Sequence, residues 1–373
     1  MLSSAFPPLP TPCPAVSDSR TNLLDLEPDV LNATLERHFA DRGVKAFRAR
    51  QVARWIFEAD ATSFDEMTDL PLDEREALAA TFEIHEPTAA TTSVSEDGTA
   101  KHLWRLRDGE LIESVLIPAG DRLTLCISSQ AGCAMGCTFC ATGWGGFRRH
   151  LTAGEIVSQF RGARRWAEAN GYGPVTNVVY MGMGEPLANR DAVFASLTLL
   201  NHGYDFGARR ITVSTVGVVP GIEQLAARPE QFGLALSLHS PEESLRRELI
   251  PLEKRWPIPV LMEALRKFDA AGGRRITFEY TMIDGLNDNL SLVPALAEMA
   301  RDLHAFVNLI PFNPIPDRDW VASPMPRIRQ FARALEDRGV DVFVREPRGR
   351  DIAAACGQLR TDELVQLEGT SGG

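Results

Sequence analysis

One pattern constrains the fold more than any other: short apolar stretches rich in β-branched residues alternate with longer amphipathic ones. The short stretches fall at 123–129, 175–181, 210–215, 232–238, 275–281 and 305–310, with 341–346 as a further candidate. Between them lie segments of helical periodicity such as 153–169 (AGEIVSQFRGARRWAEA) and 259–272 (PVLMEALRKFDAAG). Strands separated by helices pair in parallel, because each crossover is long enough to return the chain to the same edge. The units are too few to close an eight-fold barrel. The expected fold is therefore α/β, an open partial (β/α) barrel preceded by a small helical domain. In such a barrel the chemistry gathers at the C-terminal ends of the strands. Ser128-Ser129, Gly182-Met183-Gly184-Glu185-Pro186, Ser214-Thr215, Ser237-Leu238-His239-Ser240 and Pro311-Phe312-Asn313-Pro314 all end or follow a strand. Singly, each could be ordinary loop chemistry; their shared rim is what marks a site.

The rest of the chain divides by composition. Residues 1–21 are rich in Pro and Ser and are expected to be a disordered tail. Within 22–88, helical spacing over 23–40, 46–59 and 72–82 predicts a small helical domain. Its second helix and the loop before it carry Arg42, Lys45, Arg48, Arg50 and Arg54, with no acid until Glu58. That face could meet RNA phosphates, or it could simply be solvated. Residues 89–120 read as strands, with Asp108-Gly109 as a hairpin turn. The barrel core then covers 121–346, and 347–373 form a C-terminal segment carrying Cys356.

Charge and length exclude several classes. The 373 residues carry a formal charge of −11, with 44% apolar and 24% charged side chains, which excludes a disordered chain, a collagen and a coiled coil. The acidity is concentrated in residues 1–100, with 8 basic and 18 acidic groups, whereas 101–165 hold 9 basic and 5 acidic. An anionic partner is therefore compatible with the total. No apolar run approaches the ~18 residues that span a bilayer, and the N-terminus lacks a basic stretch before its Pro-broken apolar segment. No membrane association and a cytoplasmic location are expected.

Six cysteines are present, and three of them, Cys133, Cys137 and Cys140, form C-x3-C-x2-C in GCAMGCTFCATG. In a chain of this length without an export signal, such spacing reads as metal-binding or catalytic rather than as a disulfide framework. A structural zinc wants four closed ligands, so a zinc site would need completion by Cys126 or His150. A four-iron cluster held by three Cys instead leaves one iron open to a substrate. The spacing, with Phe139 before the third Cys, resembles that of radical S-adenosylmethionine (SAM) enzymes, in which the open iron chelates the amino and carboxylate groups of SAM.

The resemblance extends further. C-x3-C-x2-C, GMGEP, STVG, SLH, PFNP and AACGQL, in this order, resemble the radical SAM methyltransferases that act on carbon 2 of adenine in 23S rRNA and tRNA. The likeness covers roughly residues 20–360. It implies a [4Fe-4S] cluster on Cys133, Cys137 and Cys140, two SAM molecules per turnover, and an external one-electron donor such as flavodoxin or ferredoxin. It implies that Cys356 accepts a methyl group by displacement, that a 5′-deoxyadenosyl radical activates that methyl for addition to adenine, and that Glu113 takes the carbon-2 proton. Cys126 then releases the product through a transient disulfide with Cys356. For SAM it implies contacts from Gly184, Glu185, Ser214, Ser237, Leu238, His239 and Asn313, and the flipped base calls for structured RNA. Arg148, Arg149, Arg161, Arg164 and Arg165 are candidate phosphate contacts. A monomer is expected.

By composition alone Cys126 and Cys356 would be small buried hydrophobes, Glu113 a surface hairpin residue, and Cys13 a bystander in the tail. The chain also departs from the family. His150 stands where relatives often have Asn, Pro347 replaces a Thr, and the loop 315–326 differs from several relatives. The nearest rival is the related carbon-8 methyltransferase that confers antibiotic resistance and shares the five functional cysteines. More distant rivals are other radical SAM reactions and a metal-stabilised RNA-binding protein.

Overall fold

A computed structural model describes residues 20–315, 318–346 and 348–359. Most of the tail (1–19) with Cys13, the substituted Pro347 and the end of the chain (360–373) lie outside the described residues.

Ten strands form one sheet in strict chain order. They are β1 (Thr88–Val94), β2 (Ala100–Arg105), β3 (Leu111–Ala119), β4 (Arg122–Cys126), β5 (Asn177–Tyr180), β6 (Ile211–Thr215), β7 (Gly233–Ser237), β8 (Thr277–Met282), β9 (Phe306–Pro311) and β10 (Val342–Val344). β4 to β10 are parallel to their neighbours, and β1 to β4 pair antiparallel. This is the open partial barrel expected from the alternation, with the hairpin strands adding an antiparallel edge. Gly109 makes the β2–β3 turn at φ 86°, a conformation that glycine adopts at no steric cost.

The helices between strands bury one stripe each. The helix Ala153–Ala169 starts at a capping box in which Thr152 accepts from the Glu155 amide (3.1 Å) and Glu155 accepts from the Thr152 amide (3.0 Å). Its Ile156, Val157, Phe160 and Ala163 sit in the core with Leu125, Val178 and Val213 of the sheet.

The helical unit contains α1 (Pro28–Asp41), α2 (Phe47–Phe57) and α3 (Leu72–Thr81) around its own apolar core of Leu31, Leu35, Phe39, Val52, Ile56 and Leu78. The helix predicted over 23–40 is broken. Leu23–Asp25 form a separate 3-10 turn capped by Asn22, and Glu27 is extended with ψ 151°. Pro28 disfavours helical backbone at the residue before it and then opens the helix itself.

Arg161 joins this unit to the barrel. It is fully buried and donates to the carbonyls of Ile56 (2.9 Å), Asp60 (3.2 Å) and Ala61 (2.8 Å), to Tyr204 Oη (2.9 Å) and to Glu86, and pairs with Asp60 at 2.9 Å. That overturns its reading as a phosphate contact. Arg165 is likewise held by Asp60 and Glu86, Arg164 by Asp60, and Arg149 by Asp108 and Glu155. Of the five, Arg148 is exposed. The basic face of the helical unit is also partly occupied: Arg42 pairs with Glu74 (3.2 Å) and Arg54 with Asp69 (3.0 Å). Lys45 and Arg50 stay exposed.

Removing one partner from a buried ion pair strands the other charge. Arg161→Leu is therefore expected to lower folding stability by about 3–5 kcal/mol, read as a drop in the urea midpoint, while Arg148→Leu leaves it unchanged.

Candidate active site

The C-terminal ends of the parallel strands surround a cavity. Tyr180 at the end of β5, Ser214 and Thr215 of β6, Ser237 of β7, Glu279 and Thr281 of β8, and Ile310 of β9 contribute to its walls. Asn313 and Arg345 close it beyond β9 and β10. Cys133, Cys137 and Cys140 line the same cavity, so the strand topology brings the motif residues to one place.

A small two-stranded ribbon, Gln130–Gly132 against Phe147–His150, carries the cysteine loop. Gly132 has φ 72°, and a Cβ there would lie 1.9 Å from the Gly146 carbonyl oxygen, so the loop can start only from glycine. The loop is then tied down by backbone bonds. Cys133 donates to Gly146 O (2.9 Å), Thr138 to Leu249 O (3.0 Å) and Ala141 to Gly357 O (2.7 Å). Thr142 Oγ1 donates to Leu359 O at 2.7 Å. Phe139 packs edge-on against His239, ring centroids 4.3 Å apart.

Burial pushes the Cys133 thiol up to about 12 and Cys137 well above its ordinary range. Thiols in such a setting ionise when a cation binds them. Among the described residues no three His, Cys, Asp or Glu side chains converge on a single metal ion. A four-iron cluster takes one thiolate per iron, so its three cysteines line the cavity without converging on a single point. Neither group proposed to complete a zinc site lines their cavity. His150 Nδ1 bonds Gln130 Nε2 (3.0 Å), and Cys126 lines a different cavity.

Across from the cysteines sits Glu185. Its own amide donates to Gln130 Oε1 (2.8 Å), and its carboxylate accepts from the amides of Leu187 (3.0 Å) and Val216 (2.9 Å). Burial still dominates and raises it from 4.5 to about 7. Gly184 has φ 98°, and a Cβ would meet Gln130 Cβ at 2.5 Å. His239 is fully enclosed. Burial lowers it to about 3, with Arg246 adding to the effect, so the ring is neutral. Its Nδ1 accepts from the Thr281 amide (2.9 Å), which leaves Nε2 to carry the proton. Leu238 is buried in the core and does not line the cavity; its amide donates to Glu279 O (3.0 Å). Asn313 Nδ2 donates to the carbonyl of Cys356 (3.1 Å), and Asn313 Oδ1 accepts from Arg350 Nε (3.1 Å).

Cys356 faces two cavities. It lines the large one and also a smaller one shared with Ile117, Cys126, Ala355 and Leu359. Burial, with a smaller contribution from Cys356, pushes Cys126 up to about 12 against the opposing Arg345. The Arg345 guanidinium contacts Cys356 and also faces Glu279 and Cys126, and Cys356 is the largest cause that raises it above its ordinary range. Glu113 lines neither cavity. It is 2% exposed rather than on the surface, and it pairs with Lys101 at 3.1 Å. Sequence reading passed over Arg345, Glu279 and Lys101, and Arg345 had been absorbed into the candidate strand 341–346.

The chain is similar to known proteins over most of its length. Residues 127–290 match the family model of the radical SAM superfamily, and residues 21–84 match that of the ribosomal RNA large subunit methyltransferase N-terminal domain. The chain is 51% identical over 345 residues to a probable dual-specificity RNA methyltransferase RlmN of Gemmatimonas aurantiaca, covering 92% of this chain and 94% of that protein. It is 44% identical over 362 residues to the dual-specificity RNA methyltransferase RlmN of Anaeromyxobacter sp., covering 95% and 93%. A crystal structure of a radical SAM methyltransferase from Sphaerobacter thermophilus superposes with a TM-score of 0.86 at 45% identity, covering 91% of this chain and 99% of that one.

Glu185 generates a stability prediction. Its folded value lies above 4.5, so the folded state holds its proton more tightly than the unfolded chain. The linked stability is full below pH 4.5 and is lost as pH rises through about 7. Glu185→Gln is expected to remove this slope, on the order of 3 kcal/mol, in denaturant melts of the cluster-free protein over that range.

Proposed function

The chain belongs to the RlmN family of radical SAM RNA methyltransferases, and on that footing we propose that it methylates carbon 2 of adenine in 23S rRNA and in tRNA by way of two cysteines. The observation that carries this reading is the pairing of Cys126 and Cys356 in one small cavity that adjoins the cavity of the cysteine triplet. Bound at Cys133, Cys137 and Cys140, a [4Fe-4S] cluster with an open iron would hold SAM and, with an electron from a flavodoxin or ferredoxin, supply the 5′-deoxyadenosyl radical.

The protein's own side chains divide the remaining work. Carbon 2 of adenine is electron-poor and does not attack the SAM methyl, so a protein sulfur has to receive it first. Cys356 sits at the cavity wall with Arg345 against it, a cation suited to a thiolate. Cys126 is buried deeper, and burial keeps its proton on, so it does not compete for the methyl. It becomes a nucleophile when that proton is drawn off, and its target, the sulfur of Cys356, shares its cavity. Glu113 takes the carbon-2 proton. Glu185 accepts from the SAM ammonium and His239 Nε2 donates to an oxygen or ring nitrogen of SAM. The ends of β6 and β7 add the hydroxyls of Ser214 and Ser237. Asn313 lines the same cavity as a SAM contact and also holds the Cys356 carbonyl, fixing the loop. Exposed Arg148, Lys45 and Arg50 are the basic groups offered to RNA phosphates, and the enzyme works as a monomer.

Nucleoside mass spectrometry of RNA from a deletion strain tests the reading. Restoring the wild-type gene is expected to restore 2-methyladenosine, and Cys356→Ala to restore none. Cys126→Ala is expected to leave RNA covalently joined to the protein. Appearance of 8-methyladenosine instead would reassign the target carbon, and undiminished methylation by Cys356→Ala would remove the two-cysteine route.

A further inference from the structure

The ion pair Lys101–Glu113 lies inside the protein. Both side chains are nearly inaccessible, 8% and 3% exposed, and lie 3.1 Å apart on adjacent strands. A buried ion pair contributes little to stability compared with apolar residues of the same volume, so its position carries the information.

The register places the pair. Lys101 lies opposite Val115 and Leu103 opposite Glu113 on β2 and β3, while Val115 lies opposite Cys126 on β3 and β4. Opposed residues share a face, as do residues two apart. Lys101, Glu113, Val115, Ile117 and Cys126 therefore point to one side of the sheet. Ile117 and Cys126 line the small cavity with Cys356, so the pair stands on the face that carries both reactive sulfurs. β3 runs antiparallel to β4, and Glu113 lies toward its start. It is thus displaced from Cys126 toward the strand ends that form the large cavity.

Lys101 also reaches the segment that carries Cys356. Its Nζ donates to the Ala353 carbonyl at 3.5 Å. Ala353 has φ 48°, a left-handed conformation that a residue with a Cβ adopts only when its surroundings hold it. The same segment is clamped on the hairpin side by Ser95 Oγ to Asp351 (2.6 Å) and by the Gly349 amide to Asp97 (3.1 Å). On the cavity side it is clamped by Asn313.

We infer that Lys101 is a positioning residue for proton removal: it aims the Glu113 carboxylate at the adenine joined to Cys356 and ties that aim to the Cys356 segment. The inference rests on the two-cysteine reading above. The step it serves is a proton transfer. The carbon-2–hydrogen bond breaks, the proton goes to a Glu113 oxygen, and the electron pair of that bond stays in the purine ring of the adduct. No oxidant is consumed in it.

Lys101→Met tests this in the reconstituted full-length enzyme. Cys356 methylation, read by intact mass, and 5′-deoxyadenosine production are expected to persist. Methylated RNA is expected to fall at least tenfold, so the ratio of 5′-deoxyadenosine to methylated base rises by that factor. Glu113→Gln is expected to show the same uncoupling, and Lys101→Arg to restore part of it. An unchanged ratio would overturn the inference, as would a parallel fall in both products, which is the mark of a merely structural lysine. Should Lys101→Met fail to fold, Lys101→Gln carries the same two outcomes. A wild-type enzyme that methylates RNA without any methyl on Cys356 would instead defeat the underlying reading.

Discussion

The site depends on one docking event: the C-terminal segment lies across the rim of the barrel and bonds to the cysteine loop. Ala141 donates to Gly357 and Thr142 to Leu359, flanking Cys356 on its C-terminal side. Asn313 holds the Cys356 carbonyl from just beyond β9, and the β1–β2 turn holds Asp351 and Gly349 upstream. Each contact joins residues far apart in the chain. Together they bring Cys356 beside Cys126, which the sheet itself fixes. Only the Ala141–Gly357 bond is backbone to backbone; each of the others uses a side chain, so the docking depends on which residues stand there.

A second theme is the use of burial to set charge. Glu185, Glu279, Cys126 and Cys133 are all pushed toward their protonated forms, and His239 toward its neutral form. Arg345 is the cation placed among them. A cavity with so little fixed charge of its own is suited to a cationic cosubstrate and a metal cluster, whose charges then dominate the local field.

The fold was readable because alternation is a strong signal: every predicted barrel strand exists, shifted by up to three residues at its ends. The rim motifs were readable because strand polarity sends all their ends the same way. What escaped was tertiary. Composition made Glu113 a surface hairpin residue, yet the C-terminal segment covers the hairpin face on which it lies. Arg161 looked like one more cation on a basic helix, but periodicity carries no information about a second domain packing on that helix. The single helix drawn over 23–40 failed at Pro28, a local signal that the apolar spacing had outvoted.

Arg161 also bears on how a large substrate is engaged. Its guanidinium, itself fully buried, is spent on carbonyls and carboxylates from the helical unit and on Tyr204 of the barrel. A joint of that kind does not swivel without exposing unsatisfied polar atoms. The helical unit and the cavity therefore behave as the two jaws of a fixed caliper. A macromolecule that touches both must already present its contact points at that spacing, so tertiary shape, rather than a short stretch of letters, selects what is measured.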